Sequence, residues 1–133
     1  MIFASLWRAR TIWETGDRSA DEIANDLWAL HETALGETMA IGIPPSKMQL
    51  LEPRLRHKCQ AVNADLECRA SQATKTSYLP CPLPYSDTSE HWEPDGLHMT
   101  EQGYMALGTA IAPFLRDRLI GTTVVPPTED ITK

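Results

Sequence analysis

The chain has little cysteine, no basic run and no long apolar stretch. Three cysteines in 133 residues, Cys59, Cys68 and Cys81, are too few and too odd in number for a disulfide framework. No two stand in a Cys-x-x-Cys spacing, which argues against zinc and thioredoxin-like sites and favours three small buried hydrophobes. Twelve Lys and Arg against eighteen Asp and Glu give a formal charge of −6. A mildly acidic chain with no Lys/Arg cluster predicts no nucleic-acid partner and no polybasic membrane anchor. No apolar run approaches the roughly 18 residues of a membrane span. The apolar start Ile2–Trp7 is cut off by Arg8 and Arg10, the wrong order for a secretory signal. As written, the expected compartment is the cytoplasm. No internal repeat is present.

What remains is an ordinary globular composition, 42% apolar and 23% charged. Residues 1–18 are irregular in pattern, with a possible short strand over Ile2–Trp7. Ser19-Ala20-Asp21-Glu22 is a capping box, and Ile23, Leu27, Leu30 and Ala34 follow at helical spacing with Gly36 as a stop. Thr38–Ile43 is a short two-sided apolar run that empties into Pro44-Pro45, which suits a buried parallel strand. Leu51, Leu55, Cys59 and Val62 mark a second helix reaching about residue 70, with Pro53 in its first turn. Thr76–Cys81 is a second strand made irregular by Pro80 and Pro82. Residues 83–97 form a long polar loop. A last helix starts near Thr100 and carries Tyr104, Leu107, Ile111, Phe114 or Leu115, and Leu119 on one stripe. Pro113 is expected to bend or shorten it, and residues 120–133 read as a loose tail.

Helix, strand, helix, strand, helix argues an α/β fold with a parallel sheet. Two strands make a small sheet, so an incomplete domain or a covering partner is expected. A second copy or a complementing chain would cover the open sheet edge. Trp7, Trp13 and Trp28 are available for such an interface.

Of four histidines, His31 and His57 lie on helices as packing or solvated residues, and His91 has no spaced partner. His98 follows Asp95 in Asp95-Gly96-Leu97-His98, after a strand and before a helix. An Asp and a His three apart share one loop, so the carboxylate can accept the Nδ1 proton and leave Nε2 to act as a base. Open α/β sheets place their sites at such strand ends. The plainer alternative is that Asp95 caps a turn and His98 merely precedes a helix.

The block Trp92-Glu93-Pro94-Asp95-Gly96-Leu97-His98-Met99-Thr100-Glu101-Gln102-Gly103-Tyr104-Met105-Ala106-Leu107-Gly108 resembles the last conserved block of the SGNH, or GDSL-type, hydrolases. Met39–Ser46 is similar to the penultimate strand and loop of that family, and Ser19–Ala34 to the helix before it. The resemblance covers roughly residues 19–119 and implies a partial domain there, in a three-layer α/β/α, flavodoxin-like fold. It implies a Ser-His-Asp mechanism on carboxylic esters, acyl or acetyl, of small molecules, lipids or sugars. His98 would be the base and Asp95 its orienting acid, with no cofactor and no metal.

The nucleophile of the family, a Ser in a Gly-Asp-Ser block, has no counterpart here, and neither does its Gly-x-Asn-Asp block. Gly16-Asp17-Arg18-Ser19 carries an insertion and leads into a helix, so Ser19 reads as a cap. Asn25-Asp26 lies inside a helix and lacks the Gly. Ser46 is placed to cap the second helix, with a substitute nucleophile as its alternative, and Ser86 and Ser89 read as turn residues. The chain therefore resembles a hydrolase domain truncated on its N-terminal side. The alternative is a non-enzymatic half-domain that binds or assembles. A third reading, ranked last, gathers Asp87, Glu90, His91, Glu93, Asp95 and His98 into a metal site of no standard spacing.

Overall fold

The computed structural model describes residues 18–121, with the side chains of 119–121 left aside. The strand over Ile2–Trp7, the roles of Trp7 and Trp13, and the side chain of Leu119 lie outside the described residues.

Helix α1 (Ala20–Glu32) starts where the capping box places it. The Ser19 hydroxyl accepts from the Glu22 backbone N–H at 3.2 Å, which satisfies one of the donors a helix start leaves open. The helix stops at Glu32, before Gly36: Thr33 N–H still makes the helical bond to Ala29 O, but the next N–H, of Ala34, reaches His31 O instead of Leu30 O, which accepts from the Thr33 hydroxyl. Strand β1 (Thr38–Ile41) is buried at every position, and β2 (Thr76–Leu79) pairs with it in parallel, Thr38 opposite Thr76 and Ile41 opposite Leu79. A parallel pair needs a long crossover. Here it is α2 (Lys47–Leu51), then α3 (Pro53–Gln72).

The second helix of the sequence reading is thus two helices. Glu52 breaks them with extended backbone, and the ring of Pro53 opens α3 where a missing N–H does no harm. Leu51 consequently sits on α2 and is 66% exposed, whereas Leu55, Cys59 and Val62 turn inward on α3 as the spacing requires. The last helix, α4 (Glu101–Gly121), runs through Pro113 without being shortened. Pro113 is exposed, so water can satisfy the carbonyl that loses its N–H partner. The helix also extends two residues into the segment read as tail.

Two apolar clusters form. Ile23, Ala24 and Leu27 of α1 meet Ile43 and the Cys59, Val62 and Leu66 stripe of α3. In the other, Met39 and Ile41 of β1 and Leu79 of β2 meet Leu107 and Ile111 of α4, with Leu83, Trp92 and Met99 from the connecting segment. That segment is therefore not simply a solvated polar loop: its apolar residues are buried and its acids remain outside. Cys59 is buried, which pushes its thiol up to about 11. Cys68 is exposed, contrary to the expectation for all three cysteines, because it falls on the outer face of α3. Among the described residues no helix is long and apolar enough to cross a membrane.

Candidate active site

The loop that carries Asp95 and His98 is closed at its base by two buried anchors. Trp92 and Met99 form an antiparallel bridge, reinforced by Glu93 N–H to His98 O at 2.9 Å and Thr100 N–H to His91 O at 3.0 Å. Trp92 is fixed by its indole N–H on Pro84 O, 3.1 Å, and by an edge contact with the Tyr85 ring at 5.3 Å between centroids. Thr100 starts α4: its hydroxyl accepts from the Gly103 N–H and donates to Glu90 O. Gly103 has to be glycine here, since a Cβ would overlap the His91 carbonyl.

Between these anchors residues 93–98 make one tight turn, with Glu93, Pro94, Asp95 and His98 exposed and Gly96 buried. Gly96 takes φ +66°, the left-handed region that a side chain disfavours. Its N–H donates to Glu93 O, and its carbonyl accepts from the Lys47 N–H at 2.9 Å, which ties the turn to the start of α2. A Cβ on Gly96 would overlap the Lys47 side chain.

The turn brings Asp95 and His98 together. Asp95 Oδ2 lies 2.6 Å from His98 Nδ1, while Oδ1 accepts from the backbone N–H groups of Leu97 at 2.8 Å and His98 at 3.0 Å. Each oxygen of Asp95 thus has its own partner, the backbone on one side and the imidazole on the other. Asp95 caps the turn and holds the imidazole. The hydrogen bond from the His98 ring, helped by the two backbone donors, lowers the Asp95 carboxyl to about 2 despite an opposing burial effect. A carboxylate bound at Nδ1 selects the tautomer whose proton sits on Nδ1, so Nε2 presents a lone pair. Nε2 makes no hydrogen bond among the described residues, and the ring is about half exposed.

The serines do not complete a triad within the described residues. Ser19 caps α1. Ser46 is 3% exposed and accepts from the Gln49 N–H, the capping role read from the sequence. Ser86 bonds Thr88, and Ser89 accepts from the His91 N–H. None bonds His98. Asn25 and Asp26 lie on α1 and bond to Arg69 and Arg18 respectively. The acidic loop does not converge either: among the described residues no three His, Cys, Asp or Glu side chains are placed to share a metal ion. His57 is exposed on α3. His31, by contrast, is buried, with Nδ1 3.0 Å from Thr38 Oγ1, which in turn is 2.9 Å from Thr76 Oγ1.

Sequence reasoning missed a cleft between α2 and residues 85–87. Lys47, Leu50, Leu51, Tyr85, Ser86 and Asp87 enclose about 360 Å³. Its only sequence signal was the pair of adjacent leucines, of which helical spacing placed Leu51 on the core stripe.

No family model matches the chain, and no curated protein matches it. A solved structure named "putative platelet activating factor from Streptococcus pneumonia" is similar in fold, with a TM-score of 0.56 at 24% identity. The match covers 75% of this chain and 53% of that one, so this chain spans about half the length of that protein. The likeness is one of fold. It agrees with the α/β architecture built above.

Proposed function

We propose that this chain carries the acid–base half of a serine ester hydrolase of the SGNH type, within a three-layer α/β/α domain. One observation carries the reading: a carboxylate on Nδ1 of a half-exposed imidazole whose Nε2 makes no hydrogen bond among the described residues. The structural neighbour, named "putative platelet activating factor", adds support of fold only.

In that reading Nε2 of His98 takes the proton of a serine hydroxyl as its oxygen attacks the ester carbonyl carbon. Asp95 stabilises the imidazolium. The tetrahedral intermediate collapses as Nε2 returns the proton to the leaving alcohol, and a water repeats the sequence to free the acid. The serine and the oxyanion donors would come from a segment or chain outside the described residues. Without them the pair alone supplies little rate, since the residual catalysis of a damaged triad rests on the oxyanion hole.

The test uses the protein as isolated from its natural host, captured through residues 83–98. It should react with a fluorophosphonate at a serine and hydrolyse an acyl ester, and His98→Ala should remove both. The 133-residue chain alone should show no His98-dependent rate. A His98-dependent rate from the short chain would redirect the nucleophile assignment to Ser46. Natural protein that neither labels nor hydrolyses would overturn the reading in favour of a binding or assembly half-domain. The observation on that side is that no described serine bonds His98.

A further inference from the structure

One polar residue on the inner side of α3 is not explained by packing. Cys59, Val62, Leu66 and Ala70 are the buried residues of that helix, and Asn63 lies beside them, half-buried. Asn suits a helix interior poorly, because its side chain competes for backbone hydrogen bonds. Here the side chain reaches across to the end of β1. Its Oδ1 accepts from the Ile43 N–H at 2.8 Å, and its Nδ2 donates to the Ile43 carbonyl at 3.4 Å. Ile43 is buried, so both of its backbone groups need a partner within the protein. Gly42 still bonds β2, its N–H on Leu79 O at 2.9 Å, and alternate residues of a parallel strand bond to opposite sides, so β2 is out of reach of Ile43. A Cβ on Gly42 would overlap the Tyr78 hydroxyl and touch the Asn63 amide carbon, so the glycine leaves room for both. Beyond this clamp the chain has little freedom. Pro44 and Pro45 fix their own φ. The Pro44 carbonyl accepts from Gln49 Nε2 at 3.0 Å, and Ser46 caps α2. The next N–H, of Lys47, holds the Gly96 carbonyl in the middle of the Asp95–His98 turn.

We propose that Asn63 is a positioning residue for the Asp95–His98 pair: by fixing Ile43 it fixes, through Pro44-Pro45, the Lys47 N–H on which the turn rests. Asn63 bonds Ile43 and acts on the pair through the backbone. Its consequence for catalysis rests on the ester-hydrolase reading, whereas the mechanical link stands on the hydrogen bonds alone.

The experiment compares amide hydrogen exchange at neutral pH in the 133-residue chain and in Asn63→Ala. The N–H of Lys47, on Gly96, and those of Leu97 and His98, on Asp95, should exchange about tenfold faster in the variant. Ile23→Val loosens the same apolar cluster from α1, and should lower overall stability while leaving those three rates in place. Asn63→Leu keeps the volume, suits a helix better and removes the same two bonds, so it takes over if Asn63→Ala does not fold. Rates at the three sites unmoved by the Asn63 variants, or moved equally by Ile23→Val, would overturn the proposal. Failure of both Asn63 variants to fold would overturn it too, making Asn63 a folding residue. In the natural protein Asn63→Ala should lower kcat about tenfold or more and leave KM unchanged, since the base is displaced and not the substrate. An unchanged kcat in an active protein would overturn the positioning role whatever the exchange rates. The two readings fail separately. Faster exchange at the turn, in a natural protein without esterase activity, removes the hydrolase and keeps the clamp. Esterase activity with kcat and exchange both indifferent to Asn63→Ala removes the clamp and keeps the hydrolase.

Discussion

Two histidines in this chain are held by their Nδ1 atoms and have opposite environments. His31 lies in the last turn of α1, buried, and its partner is the neutral hydroxyl of Thr38 at the start of β1. His98 lies on the turn after β2, about half exposed, and its partner is the carboxylate of Asp95. Burial holds the His31 pKa below its ordinary 6.5, so the ring is neutral where it sits and contributes volume and one hydrogen bond. His98 instead has a carboxylate at Nδ1 and solvent around its ring. The residue type therefore says little, and the partner and the solvent decide.

The largest effect should come from His98→Ala in the catalytically complete protein. Ester hydrolysis should fall about 10⁴-fold or more, with the urea midpoint nearly unchanged because an exposed side chain leaves no cavity. A comparable loss of stability would mean that His98 holds the turn together. His31→Ala should do the reverse. Removing a buried ring and a buried hydrogen-bond partner should cost about 2–4 kcal/mol in equilibrium unfolding. Per folded molecule, the activity of the complete protein should survive. An activity loss at His31 beyond the loss of folded protein would break the contrast.

Gly96→Ala asks whether the pair depends on the turn between its members. A left-handed φ and overlap with Lys47 should together cost about 1–3 kcal/mol. The two backbone bonds to Asp95 Oδ1 and the Lys47–Gly96 bond should loosen, and ester hydrolysis in the complete protein should drop with unchanged His98. Retained stability and activity would show that the turn tolerates a side chain and that Lys47 does not position it.

The contrast between the histidines was only half legible in the sequence. Asp95-x-x-His98 was visible because three residues and a glycine confine both side chains to one turn, and capping at Ser19 and Ser46 was visible because those interactions are local. The alternation of elements gave the α/β class, and the largely apolar, two-sided Thr38–Ile43 run gave a buried parallel strand, observed over Thr38–Ile41. His31 was not legible as a buried network member, since its partner Thr38 and the next residue of the network, Thr76, are separated by α2 and α3 and meet through strand register. The split between α2 and α3 was hidden because Leu51 and Leu55 continue one helical spacing across Glu52. The anchoring of Trp92 by Pro84 and Tyr85 came from contacts within a segment that composition alone reads as polar.

The smallest effect separates the two sites by pH. For His31 the unfolded chain takes a proton first, so stability present above 6.5 should decline as the pH falls through that value and keep declining until the folded ring itself titrates. For Asp95 the folded carboxyl titrates at about 2 and the free one at 3.8. Its contribution is therefore complete above 3.8 and is lost as the pH falls toward 2. It should be slight, because a half-exposed pair is screened by solvent. Urea titrations at fixed pH from 7 down to 2 should show two separable declines (about 7 to 2 being the span set by those shifts). Asp95→Asn should remove the lower one alone, and His31→Gln the upper one alone. If Asp95→Asn also flattened the upper decline, the two histidines would belong to one coupled network, and the division between a structural and a reactive imidazole would fail.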